Sequence, residues 1–166
     1  MVNGKTRLTG VIGFPIEHSL SPLIHNKAFE ILNLDYIYIP IKVEPDKVRQ
    51  VLDGIRAMNF VGINVTIPHK QAVIPYLDSI DDEARLVGAV NTILNVHGKL
   101  HGYTTDAGGY IKSIAERGIT LKKKRVLILG GGGAARSLAV GLALRKLPAS
   151  ITILGRTWGK VKKIVD

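Results

Sequence analysis

Cysteine is absent from the 166 residues, which excludes a disulfide framework and a thiolate metal site but does not by itself identify the redox compartment. No apolar run approaches the roughly eighteen residues of a membrane-spanning helix. The start, Met1 to Arg7, has no secretory-leader core, so no membrane association is expected and a cytoplasmic protein is the default. His18, His25, His69, His97 and His101 show no metal-ligand spacing, so no metal is expected. Aromatics are scarce late in the chain, Trp158 being the only one after Tyr110, and acids are scarcer still, with no Asp or Glu between Glu116 and Asp166. What is present is 46% hydrophobic and 22% charged, the balance of one soluble domain or of one domain plus part of another, and not of a disordered chain.

The net charge of +10 is unevenly spread. Residues 1–116 hold 11 Lys/Arg against 12 Asp/Glu, whereas residues 117–166 hold 12 basic residues against Asp166 alone. A basic segment attracts nucleic acid or a multiply phosphorylated small molecule by the same electrostatics, or is a solvated surface. Without interleaved aromatics to stack bases, nucleic acid is the weaker reading and a small-molecule partner the stronger.

Alternating and periodic apolar positions predict a strand from Thr6 to Gly13 and a helix from Ser21 to about Asn33, with Ser21 as N-cap and Pro22 in its first turn. A strand follows at Tyr36–Val43, then a helix opened by Glu44-Pro45-Asp46 and running to about Met58, and a strand at Gly62–Ile67. This is a β-α-β-α-β order. A short helix is expected around Gln71–Leu77, another after the acidic turn 78–83, and a hairpin from strands 90–96 and 99–103 around His97-Gly98. Asp106 is expected to cap a helix over 107–117, and Arg125–Leu129 reads as a buried strand that turns through glycines into a helix reaching about Lys146. Pro148 breaks that helix before a parallel strand at Ser150–Leu154. The fold class is α/β, with a first domain over residues 1–106 and a second over 107–166.

Four segments carry chemistry. Gly130-Gly131-Gly132-Gly133-Ala134-Ala135 fits G-x-G-x-x-A between an apolar strand and a helix, where glycines let the backbone approach a pyrophosphate met by unpaired N–H groups and the helix dipole. An NAD site presents a carboxylate about twenty residues further on. This chain has Gly155-Arg156-Thr157 there, and a guanidinium, a hydroxyl and nearby Lys160 suit the 2′-phosphate of NADP. Asn64-Val65-Thr66-Ile67-Pro68-His69-Lys70 ends a strand in a proline turn that delivers a lysine at a cleft. Ser19 and Ser21 can reach a small anion or simply cap a helix, and Asn64 and Asn91 can bind a ligand or only satisfy loop backbone. His18 and His25 read as packing or hydrogen-bonding residues. Lys70 and Asp106 are the ionisable groups here that suit proton transfer to a developing alkoxide, Asp106 being equally placed to cap its helix.

Gly13–Pro22, Asn64–Lys70, Gly88–Thr92 and Thr104–Gly109, in this order along the chain, together resemble the shikimate dehydrogenase family. The resemblance implies an N-terminal α/β substrate-binding domain followed by the first part of a Rossmann NADP-binding domain, and reversible NADPH-dependent reduction of 3-dehydroshikimate to shikimate in aromatic amino-acid biosynthesis. It implies that Ser19 and Ser21 hold the substrate carboxylate, and that Asn64, Thr66, Asn91 and Asp106 contact substrate oxygens. It further implies that Lys70 with Asp106 forms the catalytic pair, that Gly130 to Ala135 bind the pyrophosphate, and that Arg156 with Thr157 binds the 2′-phosphate. The family often carries Asn where this chain has Gly155. It also runs on for roughly another hundred residues, so the chain is expected to be a fragment without turnover of its own; a homodimer is left open. The rival readings are a quinate/shikimate dehydrogenase using NAD, a non-catalytic shikimate-binding module, and a basic nucleic-acid-binding tail.

Overall fold

The computed structural model describes residues 2–165. The chain folds into two compact units, one of Met1–Asp81 with Val90–Tyr103 and the other of Asp82–Ala89 with Thr104–Asp166.

The first unit is built on a six-stranded sheet. Its strands are β1 (Arg7–Gly13), β2 (Tyr36–Lys42), β3 (Gly62–Val65), β4 (Ser79–Ile80), β5 (Thr92–Val96) and β6 (Lys99–Tyr103), in the order β2-β1-β3-β5-β6-β4. β1 runs parallel to both β2 and β3, as the β-α-β-α-β reading requires, whereas β5 runs antiparallel to β3 and to β6. Helix α1 (Ser21–Ile31) and helix α2 (Val48–Ala57) supply the crossovers, the latter after a single 3-10 turn at Pro45–Lys47. α2 buries Val48, Leu52 and Ile55, a spacing that points one stripe inward. Ile12, Leu52, Ile55, Val65, Val73, Ile93 and Leu100 are almost wholly removed from water, and each such Leu or Ile contributes about 1.5–3 kcal/mol.

Both crossover helices stop at an asparagine in the left-handed region, Asn33 at φ 53° and Asn59 at φ 54°. The N–H groups of Leu34 and Phe60 reach back to the carbonyls of Phe29 and Ile55, at 2.9 and 3.1 Å, which satisfies carbonyls that the helix end would leave unpaired.

Several expected elements come out shorter. The helix expected at Gln71–Leu77 is one 3-10 turn, Ile74–Tyr76, since Pro75 occupies its middle. The acidic stretch splits into strand β4, paired parallel to β6, and helix α3 (Asp82–Val87). Ser21 does not cap α1 through its side chain; the Ser19 hydroxyl accepts the Ser21 N–H at 3.3 Å instead. Asp106 is the first residue of its helix and Thr105 the cap position, with no side-chain cap bond from Thr105.

The second unit holds α3, α4 (Asp106–Ala115), β7 (Arg125–Leu129), α5 (Gly133–Leu144), β8 (Ser150–Leu154) and α6 (Trp158–Val165). β7 and β8 pair in parallel around the α5 crossover, with Ile128, Ala135 and Ala139 at the core. Arg145, just past the end of α5, clasps the Glu83 carboxylate of α3 through two nitrogens at 3.0 and 2.9 Å. That clasp fastens a segment lying between two first-unit stretches to the second unit. Helix α6 has no counterpart among the expected elements; Val161 and Ile164 are its apolar anchors. Among the described residues, no helix is long and apolar enough to cross a membrane.

Candidate functional site

In the first unit the carboxyl ends of β1 and β3 and the amino end of β5 share one edge of the sheet, because β5 runs opposite to β3. Open α/β sheets bind ligands at that edge. Backbone bonds tie the candidate segments together there. Thr66 N–H donates to Ile12 at 2.9 Å, Phe14 N–H to Ile67 at 3.0 Å, Val65 N–H to Asn91 at 2.8 Å, and Val90 N–H to Lys70 at 2.8 Å. Gly13 makes the approach of the first loop feasible, since a Cβ there would stand 2.5 Å from Thr66 Cγ2 and 2.9 Å from Ile16 Cδ1. Ser19, Ser21, Asn64, Thr66, Lys70 and Asn91 are therefore carried by segments meeting at one edge, and all six are half-buried.

The turn that bears Lys70 is pinned from inside. His69 is fully buried, and its Nε2 lies 2.8 Å from the Val43 carbonyl, which can only accept, so this nitrogen carries the proton. His69 N–H also donates to the Thr66 carbonyl at 3.0 Å. The lysine thus projects from a strand-anchored turn. Asp106, assigned by the resemblance to the same reaction, opens α4 and belongs to the second unit.

Two residues outside the expected site set, Tyr38 and Thr92, enter the site. Tyr38, 4% exposed, donates its hydroxyl to Asn64 Oδ1 at 2.7 Å, and Asn64 Nδ2 donates to Thr92 Oγ1 at 3.2 Å and to the Asn91 carbonyl at 3.3 Å. Thr92 in turn donates to Asn91 Oδ1 at 3.0 Å. Burial pushes the Tyr38 hydroxyl up to about 12, with a hydrogen bond involving Ser21 opposing that shift, so it remains a neutral donor at ordinary pH. His25 stacks on the Tyr38 ring at 4.2 Å and 5°, and burial lowers its imidazole from the usual value, in keeping with a packing role. In sequence, a tyrosine in a strand signals only β-propensity.

In the second unit Gly130, Gly131, Gly132, Gly155, Arg156, Thr157 and Lys160 line one cavity of about 620 Å³, together with Leu129 and Leu154. Gly130 adopts φ 127°, a conformation open to glycine, and its N–H bonds the Leu154 carbonyl at 2.7 Å, which brings the ends of β7 and β8 together. Ala134 and Ala135 do not line the cavity; Ala135 packs in the core of the unit. A Cβ at position 155 would stand 2.8 Å from Val161 Cγ2 and 3.4 Å from the Gly131 nitrogen, so glycine here goes with the packing of α6 against the turn. The cavity lining contains two cations and no carboxylate, which fits a ligand with an additional phosphate. Among the described residues no group of three or more His, Cys, Asp or Glu gathers to hold a metal.

A polar sheet edge on one α/β unit, and a glycine turn opening a parallel β-α-β on the other, define a two-unit protein with a substrate-binding unit and the start of a Rossmann fold. The family model of the shikimate dehydrogenase substrate binding domain matches residues 11–93, half of the chain, and the chain belongs to the shikimate dehydrogenase family. The shikimate dehydrogenase (NADP(+)) of Carboxydothermus hydrogenoformans is 48% identical over 163 residues, covering 98% of this chain and 58% of that protein. The shikimate 5-dehydrogenase structure of Listeria monocytogenes, in complex with shikimate and NAD, superposes with a TM-score of 0.95 at 41% identity, covering 99% of this chain and 57% of that one. The Thermus thermophilus enzyme, in complex with NADP(H) and shikimate, gives 0.89 at 36% identity, covering 96% and 59%. The chain spans less than two thirds of the length of these relatives.

Proposed function

We propose that this chain supplies the substrate-binding unit and the dinucleotide turn of an NADP-dependent shikimate dehydrogenase, which reduces 3-dehydroshikimate reversibly to shikimate. The observation that carries this reading is the meeting of the end of β1, from which the loop to Ser19 and Ser21 departs, with the Asn64–Lys70 turn and Asn91 at one sheet edge, through backbone bonds of Ile12, Phe14 and Val65. The two serine hydroxyls would hold the substrate carboxylate, and Asn64, Thr66 and Asn91 would take ring oxygens. Lys70 would give a proton to the oxygen that becomes the hydroxyl. Bound NADPH would supply the hydride. Gly130 to Gly132 would accept its pyrophosphate, and Arg156, Thr157 and Lys160 its 2′-phosphate, a fit supported by the carboxylate-free cavity.

Titration of shikimate into the chain and into a Ser19→Ala, Ser21→Ala double variant tests the substrate assignment. Affinity should fall at least ten-fold, the factor equivalent to about 1.4 kcal/mol. Unchanged affinity would remove the carboxylate site from these serines. The NAD-bound Listeria relative keeps an NAD-using enzyme as a second reading, decided by the cofactor experiment below.

A further inference from the structure

We propose that Tyr38, a residue outside the ligand-contacting set, is a positioning residue that with Thr92 locks the Asn64 amide in one orientation, so that Asn64 meets a ligand only as an acceptor. This rests on the reading of Asn64 as a substrate contact. The direction of every bond follows from one fixed point. The Asn91 carbonyl can only accept, so the Asn64 atom 3.3 Å from it is Nδ2. The second proton on that nitrogen goes to Thr92 Oγ1 at 3.2 Å, and Thr92 then spends its own proton on Asn91 Oδ1 at 3.0 Å. Oδ1 of Asn64 therefore faces Tyr38, and the tyrosine hydroxyl has to donate.

Both amide protons of Asn64 are committed within the protein, and what is left for a ligand is the second lone pair of Oδ1. That group selects a hydroxyl and disfavours a carbonyl or ether oxygen at the same place, where two acceptors would face each other unpaired. A side chain doing Tyr38's work has to be long. β2 and β3 flank β1, so Tyr38 lies two strand spacings, about 9.6 Å, from the Asn64 strand. Its ring crosses β1 over Val11, packed with Ile16 and stacked on His25, and only the hydroxyl reaches the amide. Phenylalanine would fill the same slot without the donor.

The experiment compares the chain with Tyr38→Phe, Thr92→Val and Thr92→Ser by side-chain amide NMR of Asn64 and by shikimate titration. Tyr38→Phe and Thr92→Val are expected to keep the backbone spectrum, shift the Asn64 NH₂ pair and speed its exchange, and weaken shikimate about ten-fold. Thr92→Ser, which retains the hydroxyl, should behave like the parent. If Tyr38→Phe leaves the Asn64 signals where they were, the proposal is overturned, whether or not affinity falls, because Tyr38 is then only a packing residue. Should Tyr38→Phe fail to fold, the Val and Ser pair at position 92 decides by the same signals. A parent chain that takes no shikimate would sink the substrate reading above, while the Asn64 signals would still judge the lock.

Discussion

Lys70 is held by its main chain, through the Val90 N–H, and by buried His69 beside it, so the backbone that carries the lysine is fixed by the fold. A group that donates a proton acts mainly in the transition state. In a full-length protein carrying this chain, Lys70→Ala should lower kcat by on the order of 10²-fold or more with a smaller change in KM. Steady-state kinetics read this directly, and a change confined to KM would make Lys70 a binding residue. Arg156 is the corresponding residue of the second unit. If Arg156 meets the 2′-phosphate as proposed, Arg156→Ala should weaken NADP by about 1–3 kcal/mol and leave NAD, which lacks that phosphate, nearly unchanged, as cofactor titration would report. Equal weakening of both would assign Arg156 to the shared adenosine or to the fold, and a protein that prefers NAD from the outset would favour the second reading.

At the scale of elements, Asp78 joins α2 to the β5–β6 hairpin. Its Oδ2 accepts from Arg56 at 2.7 Å and from the Leu100 N–H at 2.7 Å, while Arg56 also donates to the carbonyls of Gly98 and Tyr76. The Leu100 N–H first, then the Arg56 guanidinium, hold the Asp78 carboxyl below its ordinary 3.8. A depressed carboxyl contributes stability above its unfolded value that is lost as pH falls through the folded one. Unfolding midpoints should therefore drop on acidification below about pH 4, and Asp78→Asn should flatten that slope while lowering the plateau. Denaturant titrations at pH 7 and pH 3 would show both. The close crossing of β1's end over the Thr66 turn makes a second prediction at this scale. Gly13→Ala forces Thr66 and Ile16 to move, and should cost about 1–3 kcal/mol in thermal unfolding together with weaker shikimate binding.

Across the whole molecule, charge is divided as the units are, with the acid-free stretch 117–165 lying wholly in the second. Binding of a 2′-phosphorylated nucleotide to the cavity beside Arg156 and Lys160 should fall steeply between about 0.1 and 1 M salt, where the screening length shrinks from about 10 to 3 Å. NAD binding should respond less, since its affinity lacks the extra phosphate, and calorimetry at several salt concentrations would separate the two. The clasp between Glu83 and Arg145 is partly exposed, so Glu83→Gln should cost only about 1 kcal/mol, with faster hydrogen exchange confined to α3 and α5.

Local chemistry, written in order along the chain, determined a good deal. The β-α-β-α-β start, the glycine turn between β7 and α5, and the residues of the Asn64–Lys70 turn follow from alternation, punctuation and spacing, all of which are short-range. Tertiary structure decided what depends on contacts between distant segments. The antiparallel run of β5 beside β3 brings Asn91 to the same edge as Asn64, and no local signal specifies which strands pair. The membership of α3 in the second unit involves bonds from Glu83 and Leu86 to residues 62 and 50 positions away. Ser19 rather than Ser21 takes the backbone N–H at the start of α1 because the loop's closure, not residue type, decides which hydroxyl faces it. Tyr38 was illegible for the same reason: its hydroxyl matters through Asn64, 26 residues on and two strands away, and a strand sequence states which residues share a face but not what they meet across the sheet.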